Sequence, residues 1–122
     1  PLTAETWGLI DAETLALMKP TAVLVNTARG PIIDLPALAQ ALQEGRLGGA
    51  ALDVVDPEPL PADAPFYRMP NVILTPHSAY YSERSVDVVR RETLLEALQV
   101  LRGKRPRTVA NPAVLEKVTL EP

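Results

Sequence analysis

Ala22-Val23-Leu24-Val25-Asn26-Thr27, running straight into Ala28-Arg29-Gly30-Pro31, is the stretch from which the fold is read. An apolar, β-branched run this short, closed by a Gly-Pro turn signal, predicts a strand buried on both faces of a parallel sheet. Ahead of it, Asp11 is placed to cap a short helix through Met18, with Leu15 and Met18 on one face, and Pro20 stops that helix. Behind it, Asp34 caps a second helix. Pro36 falls in that helix's first turn, Leu35, Leu38, Ala39 and Leu42 form its apolar stripe, and Gly45 ends it.

The pattern then repeats. Gly49-Ala50-Ala51-Leu52-Asp53-Val54-Val55 reads as a second buried strand, its small residues allowing a close neighbour. Residues 56–71 crowd prolines together, in Asp56-Pro57-Glu58-Pro59-Leu60-Pro61 and then at Pro65 and Pro70, which predicts a stiff loop without regular structure. Asn71-Val72-Ile73-Leu74-Thr75-Pro76 gives a third strand. Ser82 caps a long helix reaching Gly103, roughly 30 Å at 1.5 Å per residue, with Val86, Val89, Leu94, Leu98 and Leu101 near one side. The tail from Lys104 is basic, then mixed, and breaks at Asn111-Pro112. Strands alternating with helices imply right-handed crossovers and an α/β fold: about three parallel strands, flanking helices and a long C-terminal helix. A sheet this thin has an open edge, which hints at missing neighbouring strands.

Composition narrows the function classes. The 122 residues suffice for one domain, and with 4% aromatics its core rests on aliphatic packing. A formal net charge of −3 provides no electrostatic footprint for nucleic acid or an anionic membrane. The absence of cysteine removes disulfides, thiolate nucleophiles and Cys-ligated metals, and fits a reducing, cytoplasmic setting. No apolar run approaches the roughly 20 residues of a membrane-spanning helix. The opening Pro1-Leu2-Thr3-Ala4-Glu5-Thr6 has neither Met nor a signal-peptide pattern, so the chain is expected to begin inside something larger.

Ligands of an open parallel sheet bind outside the carboxyl ends of its strands. Thr27-Ala28-Arg29 follows the first predicted strand. Asp53 and, five residues on, Glu58 follow the second, and Thr75-Pro76-His77 follows the third. Each has a plainer reading alone: a surface cation, a solvated loop acid, a structural histidine, an aspartate bonded to its own loop. Together on one rim they make a constellation. His77, the one histidine, is the natural general acid/base near neutrality. Glu58 on its second ring nitrogen would fix the tautomer and favour the imidazolium. Arg29 offers a two-pronged donor for a substrate carboxylate or carbonyl oxygen. A proton donor beside a carboxylate clamp suits reduction of a 2-oxo acid, provided a hydride source lies alongside.

Asn26-Thr27-Ala28-Arg29-Gly30, Gly49-Ala50-Ala51-Leu52-Asp53-Val54 with Glu58-Pro59-Leu60, and Thr75-Pro76-His77-Ser78-Ala79 resemble, in this order and spacing, the D-2-hydroxyacid dehydrogenase family. Pro1-Leu2-Thr3 and Met18-Lys19-Pro20 resemble it too, so the likeness runs from residue 1 to about Pro112. It implies the C-terminal half of an NAD-binding Rossmann-type domain over residues 1–103, with its long helix at about 83–102 and a tail at 104–122. Arg29 resembles the substrate-binding arginine, Glu58 the glutamate paired with the catalytic histidine, and His77 that histidine. Asp53 matches the aspartate facing the nicotinamide carboxamide. Thr27, Ala28, Ser78 and Ala79 lie where family members approach the nicotinamide, joined there by Arg29 and His77, and Leu2 and Thr3 sit in a loop bordering the cofactor. No metal is implied. The cofactor implied is NAD, with NADP left open, and the partners are a small 2-oxo or 2-hydroxy acid and a second copy in a homodimer. His77-Ser78-Ala79-Tyr80-Tyr81-Ser82-Glu83 resembles the branch of the C-terminal binding proteins and their bacterial relatives, which implies an alternative, an NAD-sensing corepressor-like protein. An inactive truncated product held together by its sheet edge is a third possibility. The family's Gly-x-Gly-x-x-Gly turn, which seats the pyrophosphate on a helix N-terminus, is absent from this chain, and so is the separate substrate domain.

Overall fold

A computed structural model describes residues 1–121, which form two compact units, one over residues 1–79 and one over residues 80–121. In the first, strands β1 (Val23–Asn26), β2 (Gly49–Leu52) and β3 (Val72–Leu74) form a parallel sheet in the order β1-β2-β3. Asn26 is in register with Leu52, and Leu52 with Leu74. The three strands therefore end level, and the residues that follow them leave on one rim.

Helix α1 (Ala12–Ala16) begins at an Asp11–Thr14 capping box. It stops two residues before Met18, although Leu15 is buried and Met18 packs against the core as the spacing requires. Helix α2 (Leu35–Gln43) has the caps that its sequence predicts. The Asp34 side chain accepts the Ala37 N–H, Pro36 lies in the first turn, and Gly45 takes the left-handed φ of 65° that ends the helix. Leu35, Leu38, Ala39 and Leu42 are all buried, and they share one cluster with Leu15 of α1 and Ala50 and Leu52 of β2. Burial on this scale contributes about 1.5–3 kcal/mol for each large side chain, which is why α2 holds the sheet.

Three features correct the sequence-based picture. First, β1 is not buried on both faces. Val23 and Val25 are 60% and 64% exposed, and Ile73 of β3 is 65% exposed. Side chains alternate along a strand: Leu24 and Asn26 turn toward the core, and the opposite row, Val25-Ala51-Ile73, has no helix of the first unit over it. Second, the proline-rich segment, which links β2 to β3 as its prolines predict, is not wholly irregular. That segment does contain regular structure, a 3-10 turn at Pro65–Arg68 with proline at its start and Phe66 buried. Two of its bonds, Asp56–Pro57 and Glu58–Pro59, are cis. Third, the strands end sooner than predicted, β2 at Leu52 rather than Val55, because the polar residues at their ends turn to hold the following loops.

The second unit is built on α3 (Glu83–Leu101), started by a Ser82–Ser85 capping box. No residue of α3 is buried; Val89, Leu94, Leu98 and Leu101 of its expected apolar side are exposed. The tail returns along it. Arg107 donates from its backbone N–H and its Nε to Glu96, pairs with Glu92, and is followed by a 3-10 turn at Pro112–Glu116 and a bridge between Lys104 and Glu121. No helix among the described residues is long and apolar enough to cross a membrane.

Candidate active site

All of the site residues lie in the first unit, and two buried polar side chains at the strand ends organise them. After β1, the Asn26 side chain accepts the Ala28 N–H at 3.0 Å through Oδ1 and donates to the Arg29 carbonyl at 3.0 Å through Nδ2. This closes the turn that carries Thr27, Ala28 and Arg29. Gly30 then passes so close to the next loop that a Cβ there would lie 2.1 Å from the Val55 carbonyl oxygen. Only glycine fits. The Arg29 guanidinium is exposed and donates to the neighbouring Ala28 carbonyl at 2.6 Å.

After β2, Asp53 does more. It is 6% exposed. Its Oδ1 accepts the Thr75 hydroxyl at 2.5 Å and the Ser78 N–H at 2.9 Å, its Oδ2 accepts the Ala79 N–H at 2.9 Å, and its backbone carbonyl accepts the His77 N–H at 2.9 Å. The Thr75 hydroxyl above all, then the Ala79 and Ser78 amides and nearby His77, hold the Asp53 carboxyl below the ordinary aspartate range, against the upward push of its burial. Across this turn His77 has φ 51°, the one non-glycine residue with positive φ among those described. A left-handed conformation at a histidine is uncommon and persists where its surroundings over-determine it; the bonds to Asp53 do so here.

The turn aims the imidazole at Glu58. His77 Nδ1 lies 3.0 Å from Glu58 Oε1 and 3.2 Å from Oε2. An ionised carboxylate only accepts, so opposite it Nδ1 carries the hydrogen of the neutral ring. Glu58 comes from the stiff proline segment. Beside it a hollow of about 420 Å³ is lined by Leu52, Leu60, Tyr67 and Leu74, and a second of about 230 Å³ on the open row touches Val25, Ala51, Asp53, Ile73 and Ser78. Among the described residues no group of three or more His, Asp or Glu is placed to hold a metal ion.

The structure thus brings His77, Glu58, Asp53, Ser78 and Ala79 into one bonded corner, and sets Thr27, Ala28 and Arg29 on the turn after β1. Leu2 and Thr3 lie in the opening loop, where the Thr3 N–H donates to the Thr6 hydroxyl. Sequence reasoning missed two organising residues, Asn26 and Thr75. A polar side chain ending an apolar strand is the signal for Asn26. Thr75 has no local signal, since its partner is 22 residues away.

Residues 1–79 match the family described as D-isomer specific 2-hydroxyacid dehydrogenase, NAD binding domain. A glyoxylate reductase of Thermofilum pendens is 45% identical over 124 residues, covering 99% of this chain and 36% of that protein. The solved D-lactate dehydrogenase of Lactobacillus jensenii with NAD+ superposes with a TM-score of 0.80 at 34% identity, over 91% of this chain and 37% of its own. A D-isomer specific 2-hydroxyacid dehydrogenase of Xanthobacter autotrophicus, solved with NADPH and MES, gives 0.80 at 36%, over 93% of this chain and 46% of its own. The chain spans about a third of the length of the curated relatives it matches.

The residues present fit one end of a dinucleotide. A carboxylate has roughly four lone-pair sites, and Asp53 uses two on Oδ1 and one on Oδ2, which leaves one on Oδ2 for a carboxamide N–H. The apolar row of Val25, Ala51 and Ile73 beside it suits a flat ring. For the pyrophosphate there is no counterpart, because none of Gly8, Gly30, Gly45, Gly48, Gly49 and Gly103 forms the glycine-rich turn.

Proposed function

This chain belongs to the D-isomer specific 2-hydroxyacid dehydrogenase family, within its NAD binding domain; on that premise we propose that the full-length protein carrying it interconverts a small 2-oxo acid and the matching 2-hydroxy acid. Residues 1–103 then act as the C-terminal half of the Rossmann-type domain and the remainder as a tail, in a cytoplasmic homodimer without nucleic acid or membrane as partner. A nicotinamide cofactor, when bound, supplies or receives the hydride. His77 gives a proton from Nε2 to the carbonyl oxygen as reduction proceeds and takes it back in the reverse direction. Glu58 keeps Nδ1–H in place and so fixes the direction in which the ring presents Nε2. Arg29 holds the substrate carboxylate through its paired N–H groups, and Asp53 receives the carboxamide on its remaining lone pair. Thr27, Ala28, Ser78 and Ala79 border the nicotinamide, and Leu2 and Thr3 the rest of the cofactor.

The observation that carries this reading is the Glu58–His77 pair at 3.0 Å on a histidine held in the left-handed conformation. The test is NADH oxidation by the full-length protein with glyoxylate, hydroxypyruvate and pyruvate, alongside NADH titration. His77→Ala should lower kcat by about 10²–10⁴-fold, the range for a general acid, while NADH affinity stays near wild type. Retained turnover in that variant rejects the assignment. NADH binding by the wild type with no turnover of any 2-oxo acid favours the corepressor-like sensor instead.

A further inference from the structure

We propose that Thr75 is a positioning residue for proton transfer: its hydroxyl locks the Asp53 carboxylate, which in turn holds the 77–79 turn that presents His77. This rests on the role of His77 proposed above. The His77 imidazole can meet Glu58 only while residue 77 keeps its φ of 51°, a conformation that the residue does not favour alone. Three N–H groups in succession are held by Asp53, that of His77 by its backbone carbonyl and those of Ser78 and Ala79 by its carboxylate. The orientation of the carboxylate therefore decides how residues 78 and 79 are held, and with them the far side of the turn that presents His77.

What orients that carboxylate is Thr75. Its hydroxyl donates to Asp53 Oδ1, and at 2.5 Å the bond lies at the short end for a hydroxyl on a carboxylate. Its backbone is itself fixed, because the Thr75 N–H donates to the Leu52 carbonyl at 3.1 Å as an extension of the β2–β3 ladder. A β-branched side chain has few rotamers, so the hydroxyl carries the rigidity of the sheet to the carboxylate. The charge state agrees, since the Thr75 hydroxyl is the foremost of the groups that stabilise ionised Asp53. Without it the carboxylate keeps the Ser78 amide on Oδ1 and the Ala79 amide on Oδ2 but loses the tie that the hydroxyl gives it to the sheet. Residue 77 would then relax and draw the imidazole from Glu58. Misplacement of a reacting group by about 1 Å is enough for a loss on the order of 10²-fold.

Thr75→Val keeps the shape and removes the donor, while Thr75→Ser keeps the donor. In the full-length protein, Thr75→Val should lower kcat on the order of 10²-fold, with KM for the 2-oxo acid within about twofold, because Arg29 stands on a separate turn. Thr75→Ser should restore kcat. Amide exchange at Ser78 and Ala79 should quicken in Thr75→Val and not in Thr75→Ser, with exchange along β1 and β2 unchanged; Thr75→Ala takes the place of the valine variant should that one not fold. Wild-type kcat and exchange in the variant lacking the hydroxyl would overturn the proposal, and so would equal impairment of the serine variant. If the wild-type protein reduces no 2-oxo acid, the functional reading falls, while the exchange at Ser78 and Ala79 still decides whether Thr75 holds the turn.

Discussion

The turns after β1 and β2 use the same device to different ends. Each is pinned by a buried polar side chain at a strand end, Asn26 in one and Asp53 in the other. Asn26 is neutral and spends its amide on two backbone groups, fixing the path of the chain and leaving the Arg29 guanidinium exposed, against only its neighbour's carbonyl. Asp53 is charged, gathers a hydroxyl and two amides on its carboxylate, and carries His77 to a dedicated partner, Glu58. The difference suits the chemistry proposed for each. A proton donor must have its tautomer and direction set before the substrate arrives, whereas a carboxylate clamp is completed by the carboxylate it binds.

The largest effect is expected at Gly30, in the turn after β1. A Cβ there would meet the Val55 carbonyl at 2.1 Å and the Asp56 nitrogen at 2.7 Å, backbone atoms with nowhere to move. Gly30→Ala should therefore destabilise the chain by about 1–3 kcal/mol or more in urea denaturation, as overpacking does. Arg29→Lys, one residue earlier, should stay within about 0.5 kcal/mol, since that side chain is exposed and supports nothing but itself. Equal losses in the two variants would mean that the turn after β1 depends on the guanidinium after all.

A smaller effect separates the turns by pH. Asp53 titrates lower in the folded chain than in the unfolded one, so the stability that its ionised form provides is present above the ordinary aspartate value and is lost as pH falls through the lowered one. The stability difference between wild type and Asp53→Asn should accordingly be full at about pH 6 and shrink on approach to about pH 3. Asn26 has no such dependence. A difference that stays constant to the acid end would show that the Asp53 bonds do not need the charge.

Much of this architecture is legible in the residues. α2 follows from Asp34, Pro36, its stripe and Gly45 because all of those signals are local, and the placement of Arg29, Glu58 and His77 beyond one rim of the sheet follows from the level ends of parallel strands. The exposed row of Val23, Val25 and Ile73 is not legible, since an apolar strand residue looks the same whether or not a helix covers it. The positive φ of His77 and the part of Thr75 also escape local reading. They arise from hydrogen bonds to Asp53 across 22 to 26 residues, which no periodicity encodes.

The proposed proton donor is set by the chain itself, before any ligand binds. His77 is the single histidine of this chain, so its imidazole nitrogens can be assigned without ambiguity by 15N NMR. With the cofactor absent and the ring neutral, the hydrogen should sit on Nδ1, against Glu58, and in Glu58→Ala it should move to Nε2. A wild-type ring already protonated on Nε2, unchanged by loss of Glu58, would contradict the account.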